Sequence, residues 1–461
     1  MTKEKALNQK DLTTGSPFKK IFIFSLPLML SNLLQVLFNM SDVAVVGRFG
    51  SKEALGSVGS TTTYVILFTG ILIGLGSGVN ALIARFLGSK DEARVLRITH
   101  TGFLVCLIIG VLLVGLGSAL VRPMLVLLNT KPELLEEAVL YVYIVFAGLP
   151  ALAIYNYGNG ILSADGDTKR PLIFLASAGV INIALNLFFV IVCSLSVVGV
   201  ALASIISQYI SAILILIALV RTKRPYQFRF KLLKIYKKET KEILSLGLPA
   251  GMQNAIFSMA NLFIQFGVNS FDTIMVEGNS AAANVDAFVY DLMAAFYMAI
   301  ASFIAQNYGA GKKNNILKCY FIGLFYSCFV GLVFGFLFVL FGKPFLSLFT
   351  SDKEVVEAGM KRLVVMGCSY FISSFMDATI AALRGLGKTI VPTIILIFGS
   401  CVFRIVWVYS VFAYFKTIPS LYLLYPVSWT LTAISVIIYF VIVYRKIFLK
   451  NKESLHIKAY R

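Results

Sequence analysis

The sequence predicts an all-α polytopic membrane protein. It has twelve transmembrane helices in two six-helix lobes related by a parallel pseudo-two-fold repeat. Three observations predict this: long apolar runs with few charges, lysines and arginines collected in alternate loops, and matched punctuation at a spacing of 221–222 residues.

The runs come first. Of the 461 residues, 58% are hydrophobic and only 14% are charged, against about 25% charged in a soluble domain. The mean hydropathy is +0.85. These values exclude a soluble enzyme, a disordered chain and a secreted disulfide scaffold. About twenty apolar residues cross a hydrocarbon core of ~30 Å, and twelve such runs are present, at 20–46, 58–84, 98–120, 137–160, 171–194, 197–220, 242–270, 281–306, 316–342, 359–383, 390–415 and 420–444. They are too long and continuous for the alternating segments of a barrel. Lys3, Lys5, Lys10, Lys19 and Lys20 precede the first run as in a signal peptide. Asn32, Gln35 and Asn39 interrupt that run, however, and no small-residue cleavage site follows, so an uncleaved first span is expected. All six cysteines lie within apolar runs without a CxxC pair, as small core residues do.

The loops come second. A net charge of +19 would read as a nucleic-acid footprint in a soluble protein. Here the basic residues cluster between apolar runs, so no nucleic-acid partner is expected. With the N-terminus in the cytoplasm, thirty-one of the forty-one lysines and arginines fall on the inner side. Nine fall in outer loops, and Arg404 lies within a span. That asymmetry orients the chain in the cell membrane with both termini cytoplasmic.

The repeat comes third. The loop from Arg221 to Lys241 carries nine basic residues and divides the chain nearly in half. Leu26-Pro27, Asn32 and Asn39 in the first span match Leu248-Pro249, Asn254 and Asn261 in the seventh. Ala84–Gly88 matches Ala305–Gly309, and Gly166–Pro171 matches Gly387–Pro392. The lobes are placed at 1–230 and 231–461. With six spans each they start on the same side, as parallel repeats do. Two such bundles leave a cleft that rocking could open to either side, the geometry of alternating access. Duplication that merely built a large helical bundle is the plainer alternative.

At the repeat junctions the chain resembles the multidrug and toxic compound extrusion (MATE) transporters along essentially its whole length. Four stretches carry the resemblance: Ser25-Leu26-Pro27 with Asp42–Gly47; Ile181–Asn186 with Val198–Ser204; Phe303–Gly311; and Leu383–Thr389. The last two are the specific ones. The resemblance implies a secondary active antiporter that exports amphipathic, cationic drugs or metabolites in exchange for H+ or Na+. A flippase for lipid-linked precursors, from the same superfamily, is the alternative. Such flippases often carry two further helices, and no further span follows Tyr444.

Ionisable residues within membrane spans are costly and therefore functional candidates. Asp42 shares a helical face with Asn39 and Gln35. The resemblance places a cation-coupling acid at Asp42, with Asn182 and Asn186 around it. The family commonly has an acid where this chain has Asn186. An amide cannot titrate, yet its carbonyl can still take a hard cation. No metal centre is expected beyond Na+ at Asp42. Asp377 is carried over as a second coupling residue. Asp286, Tyr290 and Asp291, with Asn39 and Gln35, are the substrate-binding candidates, Tyr290 offering a ring face to a lipophilic cation. Interhelical hydrogen bonding or a partner for Arg404 is the structural alternative for these polar groups. No phosphate loop and no HExxH is present. The chain is thus read as no enzyme, with no cofactor beyond its coupling cation. Its expected partners are a small amphipathic molecule and the bilayer, and it is expected to act as a monomer.

Overall fold

The computed structural model describes residues 11–49, 52–128, 130–347 and 350–448. Lys3, Lys5, Lys10 and the end of the basic tail, His456 included, lie outside the described residues. Among those described the chain is helical throughout. The first six helices are α1 (Pro17–Phe49), α2 (Lys52–Gly88), α3 (Glu92–Leu127), α4 in two parts (α4a, Pro132–Phe146; α4b, Leu149–Ala164), α5 (Lys169–Val192) and α6 (Ser196–Arg221). The second six are α7 (Lys237–Val268), α8 (Thr273–Gly309), α9 (Lys313–Leu346), α10 in two parts (α10a, Lys353–Gly367; α10b, Tyr370–Gly385), α11 (Ile390–Phe415) and α12 (Ile418–Phe448). Among the described residues nine helices are long and apolar enough to cross a membrane, and the two bent pairs raise the number to eleven. The remaining helix, α7, has an uncharged stretch after Glu242 that is diluted by Pro249, Gln253, Asn254, Asn261 and Gln265. Twelve spans are consistent with this set.

The repeat is visible element by element. α2 and α8 begin and end 221 residues apart, as do α4a and α10a, and α4b and α10b. The bends recur as well, 44° within α4 and 50° within α10. The sequence reading treated each of these as one straight run. In α4 the break falls at Gly148-Leu149-Pro150, where proline has no N–H to continue the ladder. In α10 the Ser369 hydroxyl takes the Val365 carbonyl at 2.6 Å, withdrawing an acceptor from the helix at the bend. After each second half a glycine sits in the left-handed region, Gly166 at φ 84° and Gly387 at φ 77°. Each is followed by the amide that closes a Schellman cap, Asp167 N–H to Leu162 O and Lys388 N–H to Leu383 O. Side-chain caps start α3, α8 and α10a, from Asp91, Asp272 and Asp352.

The chain forms two compact units. One is built on Leu26–Ser258; the other is built on Thr13–Ser25 with the residues from Met259 onward. In the first, α2 and α7 cross at glycines. A Cβ on Gly74 would meet the Gly251 nitrogen at 2.1 Å, so nothing larger than hydrogen fits. Its interior is filled by Tyr64, Phe68 and Phe146, with the Tyr64 hydroxyl donating to Gly117 O at 2.6 Å. In the second unit α8 lies against α9, α10a and α10b. A Cβ on Gly278 would meet the Gly359 nitrogen at 2.6 Å, and Gly335 faces Gly367 in the same way. Leu112, Phe336 and Ile434 are among many large apolar side chains left on the outside, as for a chain whose solvent is lipid.

Candidate functional site

In the first unit, α1 and α5 are held together one turn before the polar residues. The ring of Phe38 lies over Gly179, where a Cβ would clash with it. One turn further along α1 is Asp42; one and two turns further along α5 are Asn182 and Asn186. The Asn186 amide donates to Asp42 Oδ1 at 2.5 Å and to Asn182 Oδ1 at 3.2 Å. From α6 the Ser204 hydroxyl donates to Asp42 Oδ2 at 3.2 Å and accepts from Asn182 Nδ2 at 3.5 Å. Asn182 and Asn186 are buried, and the Asn186 carbonyl oxygen is enclosed without a hydrogen-bond partner. Beyond these residues Val45 and Val46 of α1, Ala54 and Val58 of α2, Val190 of α5 and Val197 and Val200 of α6 form an apolar cluster, with Tyr141 of α4a packed on it. Directly after Asn186 the α5 backbone widens into a π turn over Phe188–Val192, a feature common beside functional residues.

The sequence therefore brought together residues that do meet: Asp42, Asn182 and Asn186. It missed the third side, Ser204, which stood in a matched stretch without a role. Asn39 and Gln35 lie on the exposed flank of α1 and make no hydrogen bond among the described residues. Chemically the cluster is one carboxylate, two amide carbonyls and one hydroxyl, all hard oxygen donors. No group of three or more His, Cys, Asp or Glu side chains placed to hold a metal ion occurs among the described residues. A single carboxylate with neutral oxygens suits a proton or one monovalent cation better than a divalent ion.

The second unit holds two further polar clusters. Asp286 of α8 is buried. Its Oδ2 accepts from Arg362 Nε and Nη2 of α10a, both at 2.7 Å, and its Oδ1 accepts from the Tyr370 hydroxyl. Arg362 Nη1 also donates to Asn279 Oδ1 at 2.6 Å, which accepts from the Tyr422 hydroxyl at 3.1 Å. The guanidinium lies 5.7 Å from the Tyr422 ring and 5.4 Å from that of Tyr425. Arg362, which lies in the run at 359–383 yet is needed to make up the nine outer-loop charges, is a buried partner, and Asp286 is engaged by it and by Tyr370. Arg362 went unrecognised because a Lys-Arg pair near a run's edge reads as interfacial, and Asn279, just before the run at 281–306, and Tyr370 carry no charge to mark them.

Asp377 of α10b lies in the other cluster. Its Oδ2 is enclosed without a hydrogen-bond donor, and its charge is felt by Arg384 two turns along the same helix and by Arg404 of α11. Arg404 is 2% exposed. It donates to the Ser428 hydroxyl at 3.1 Å and lies 4.8 Å from the Tyr425 ring. The short α-helical stretch that carries it is flanked by π turns at Ile397–Val402 and Val408–Phe412. Asp291 is half-buried. Tyr290 is exposed, interacts electrostatically with Asp377 and Asp291, and sets its ring 6.3 Å from that of Tyr297. The five-residue spacing from Asp286 separates Asp291 from the Arg362 cluster.

The MatE family profile matches this chain twice, over residues 27–188 and 249–410. YoeA of Bacillus subtilis strain 168, described as a probable multidrug resistance protein, is 27% identical over 406 residues, which cover 86% of this chain and 88% of that protein. YpnP of the same organism has the same description and is 29% identical over 357 residues, or 77% of this chain and 79% of that one. Among solved structures, a MOP-superfamily transporter from Pyrococcus furiosus superposes with a TM-score of 0.88 at 22% identity. The match covers 94% of this chain and 97% of that one, a likeness of fold.

Proposed function

The chain belongs to the MatE family of multi-pass membrane transporters, and on that premise we propose that it is a secondary active antiporter of the cell membrane. It exports amphipathic, cationic small molecules in exchange for H+ or Na+ by alternating access. The observation that carries this reading is the single carboxylate of Asp42 held among Asn182, Asn186 and Ser204. Removing a carboxylate from water is costly unless it is neutralised. When charged, Asp42 is best served by the Asn186 and Ser204 donors. When protonated or cation-bound, it no longer needs both of them. The two states thus favour different arrangements of α1, α5 and α6, and an ion gradient can do work only through such a difference.

In the second half, lobe 231–461, Asp377 takes the corresponding coupling role. Asn39, Gln35, Tyr290 and Asp291 offer exposed or half-buried polar groups to the substrate. Asp286, already bound by Arg362, holds α8 to α10 and does not meet the substrate directly. Both termini lie in the cytoplasm, and the 1–230 and 231–461 lobes each carry six spans. The test is dye efflux from proteoliposomes under separately imposed pH and Na+ gradients. Acceleration by one of them supports the antiporter; indifference to both refutes it.

A further inference from the structure

The segment joining α6 to α7 has two faces of opposite character. Its inner face is fixed to the first unit. Tyr226 and Phe228 are almost completely buried. The Tyr226 hydroxyl donates to Asp165 Oδ2 at 2.8 Å, beside Arg224 at 3.1 Å from the same oxygen. Burial, and then the Asp165 carboxylate, hold that hydroxyl above the ordinary tyrosine range, so it remains a donor. The Arg229 N–H donates to His100 Nε2 at 3.1 Å, the Thr101 hydroxyl donates to Lys234 O at 3.2 Å, and the Tyr236 N–H reaches the Thr101 hydroxyl at 3.3 Å. This is a seated strap rather than a solvated tether.

The outer face carries Phe230, Leu232 and Ile235, which are 63%, 41% and 50% exposed. Interleaved with them are the exposed cations Arg229, Lys231, Lys234, Lys237 and Lys238. From Arg221 to Lys238 the chain contains no acidic residue. Lys231, Lys234, Lys237 and Lys238 form no ion pair among the described residues; Lys234 rests 5.5 Å from the Tyr236 ring. Apolar side chains alternating with cations, at the end of a helical bundle that sits in lipid, match the chemistry of an anionic bilayer interface. The residues at either end of the chain that are not described, 1–10 and 449–461, are net basic, and a second copy would present the same positive face. Both are poor occupants by charge.

We infer that the outer face of residues 229–238 docks on an anionic lipid surface, with Phe230, Leu232 and Ile235 entering the headgroup region and the lysines contacting lipid phosphates. The contact would fix the strap, and α7 with it, more firmly in membranes rich in anionic lipid.

The test is amide hydrogen exchange over residues 230–235 on the full chain, in nanodiscs of phosphatidylcholine alone or mixed with phosphatidylglycerol. Discs expose both leaflets, so the outcome does not depend on orientation or on transport. Slower exchange with phosphatidylglycerol is expected, with the difference removed by high salt. In the variant carrying Lys231→Gln, Lys234→Gln and Lys238→Gln, each lost charge should weaken the contact about five-fold. Phe230→Ser with Leu232→Ser should also reduce it. Unchanged exchange in α2 and α6 within the same spectra shows that each variant is folded; a variant failing that check is replaced by the single substitution Lys231→Gln. Equal exchange in the two lipids overturns the inference, as does a phosphatidylglycerol effect that survives these substitutions. So does equal protection by soluble polyglutamate, which would make the face a general anion or protein site.

Discussion

Phe38 of α1 occupies the space above Gly179 of α5 so closely that a Cβ on the glycine would lie 1.8 Å from the ring. This contact sets the register in which Asp42, one turn further along α1, meets Asn186, two turns further along α5. The geometry of the Asp42 cluster therefore depends on a residue with no polar chemistry.

Gly179→Ala should push α1 from α5, at about 1–3 kcal/mol of overpacking. Gradient-driven efflux should fall while membrane insertion is kept. Adding Phe38→Leu should restore much of the loss. Full efflux by Gly179→Ala alone would show that this register is not required.

Asn186→Leu removes the donor to Asp42 and the enclosed carbonyl. A hydrogen bond to a charged group is worth about 1.5–3 kcal/mol. Losing that stabilisation of the charged, empty carboxylate favours its protonated form, so the proton concentration giving half-maximal efflux should fall by about ten-fold or more. Ion titration of efflux in proteoliposomes measures this, and an unchanged half-maximal concentration would remove Asn186 from the site.

Arg362→Leu strands Asp286 in the interior. Breaking a buried pair from one side costs about 3–5 kcal/mol, so the melting temperature in detergent should drop clearly. Asp286→Leu together with Arg362→Leu should recover most of it, because an apolar pair needs no compensation. If the double variant were as unstable as the single one, the pair would not be the source of the loss.

The topology reading predicts that a cysteine placed at Lys223 reacts with an impermeant thiol reagent only after the membrane is opened. The experiment requires a parent in which the exposed cysteines Cys193 and Cys368 are replaced. Labelling of Lys223→Cys in intact cells would invert the orientation.

Helix number and repeat were legible because lipid imposes them. Span length follows from bilayer thickness, and duplication left its prolines and glycines at a fixed offset. The bends were hidden. Pro150 is readable as a break, but the Ser369 hydroxyl on Val365 O shows no such mark in the sequence. At the first site, Asp42, Asn182 and Asn186 were legible as polar residues in apolar runs. Ser204 was not, because a lone serine in a span more often bonds its own helix, as Ser207 does to Ala203 O. Arg362 was misplaced because its burial depends on Asp286, 76 residues away, and a charge count along the chain carries no such pairing.

The most direct test of the account is Asp42→Asn in proteoliposomes, assayed for dye efflux under imposed pH and Na+ gradients beside the parent. The substitution keeps the shape and removes the charge. The account predicts a folded, inserted protein whose efflux no longer responds to either gradient. Efflux equal to the parent's across the pH range would make Asp42 a structural residue and shift coupling to Asp377 and Asp291.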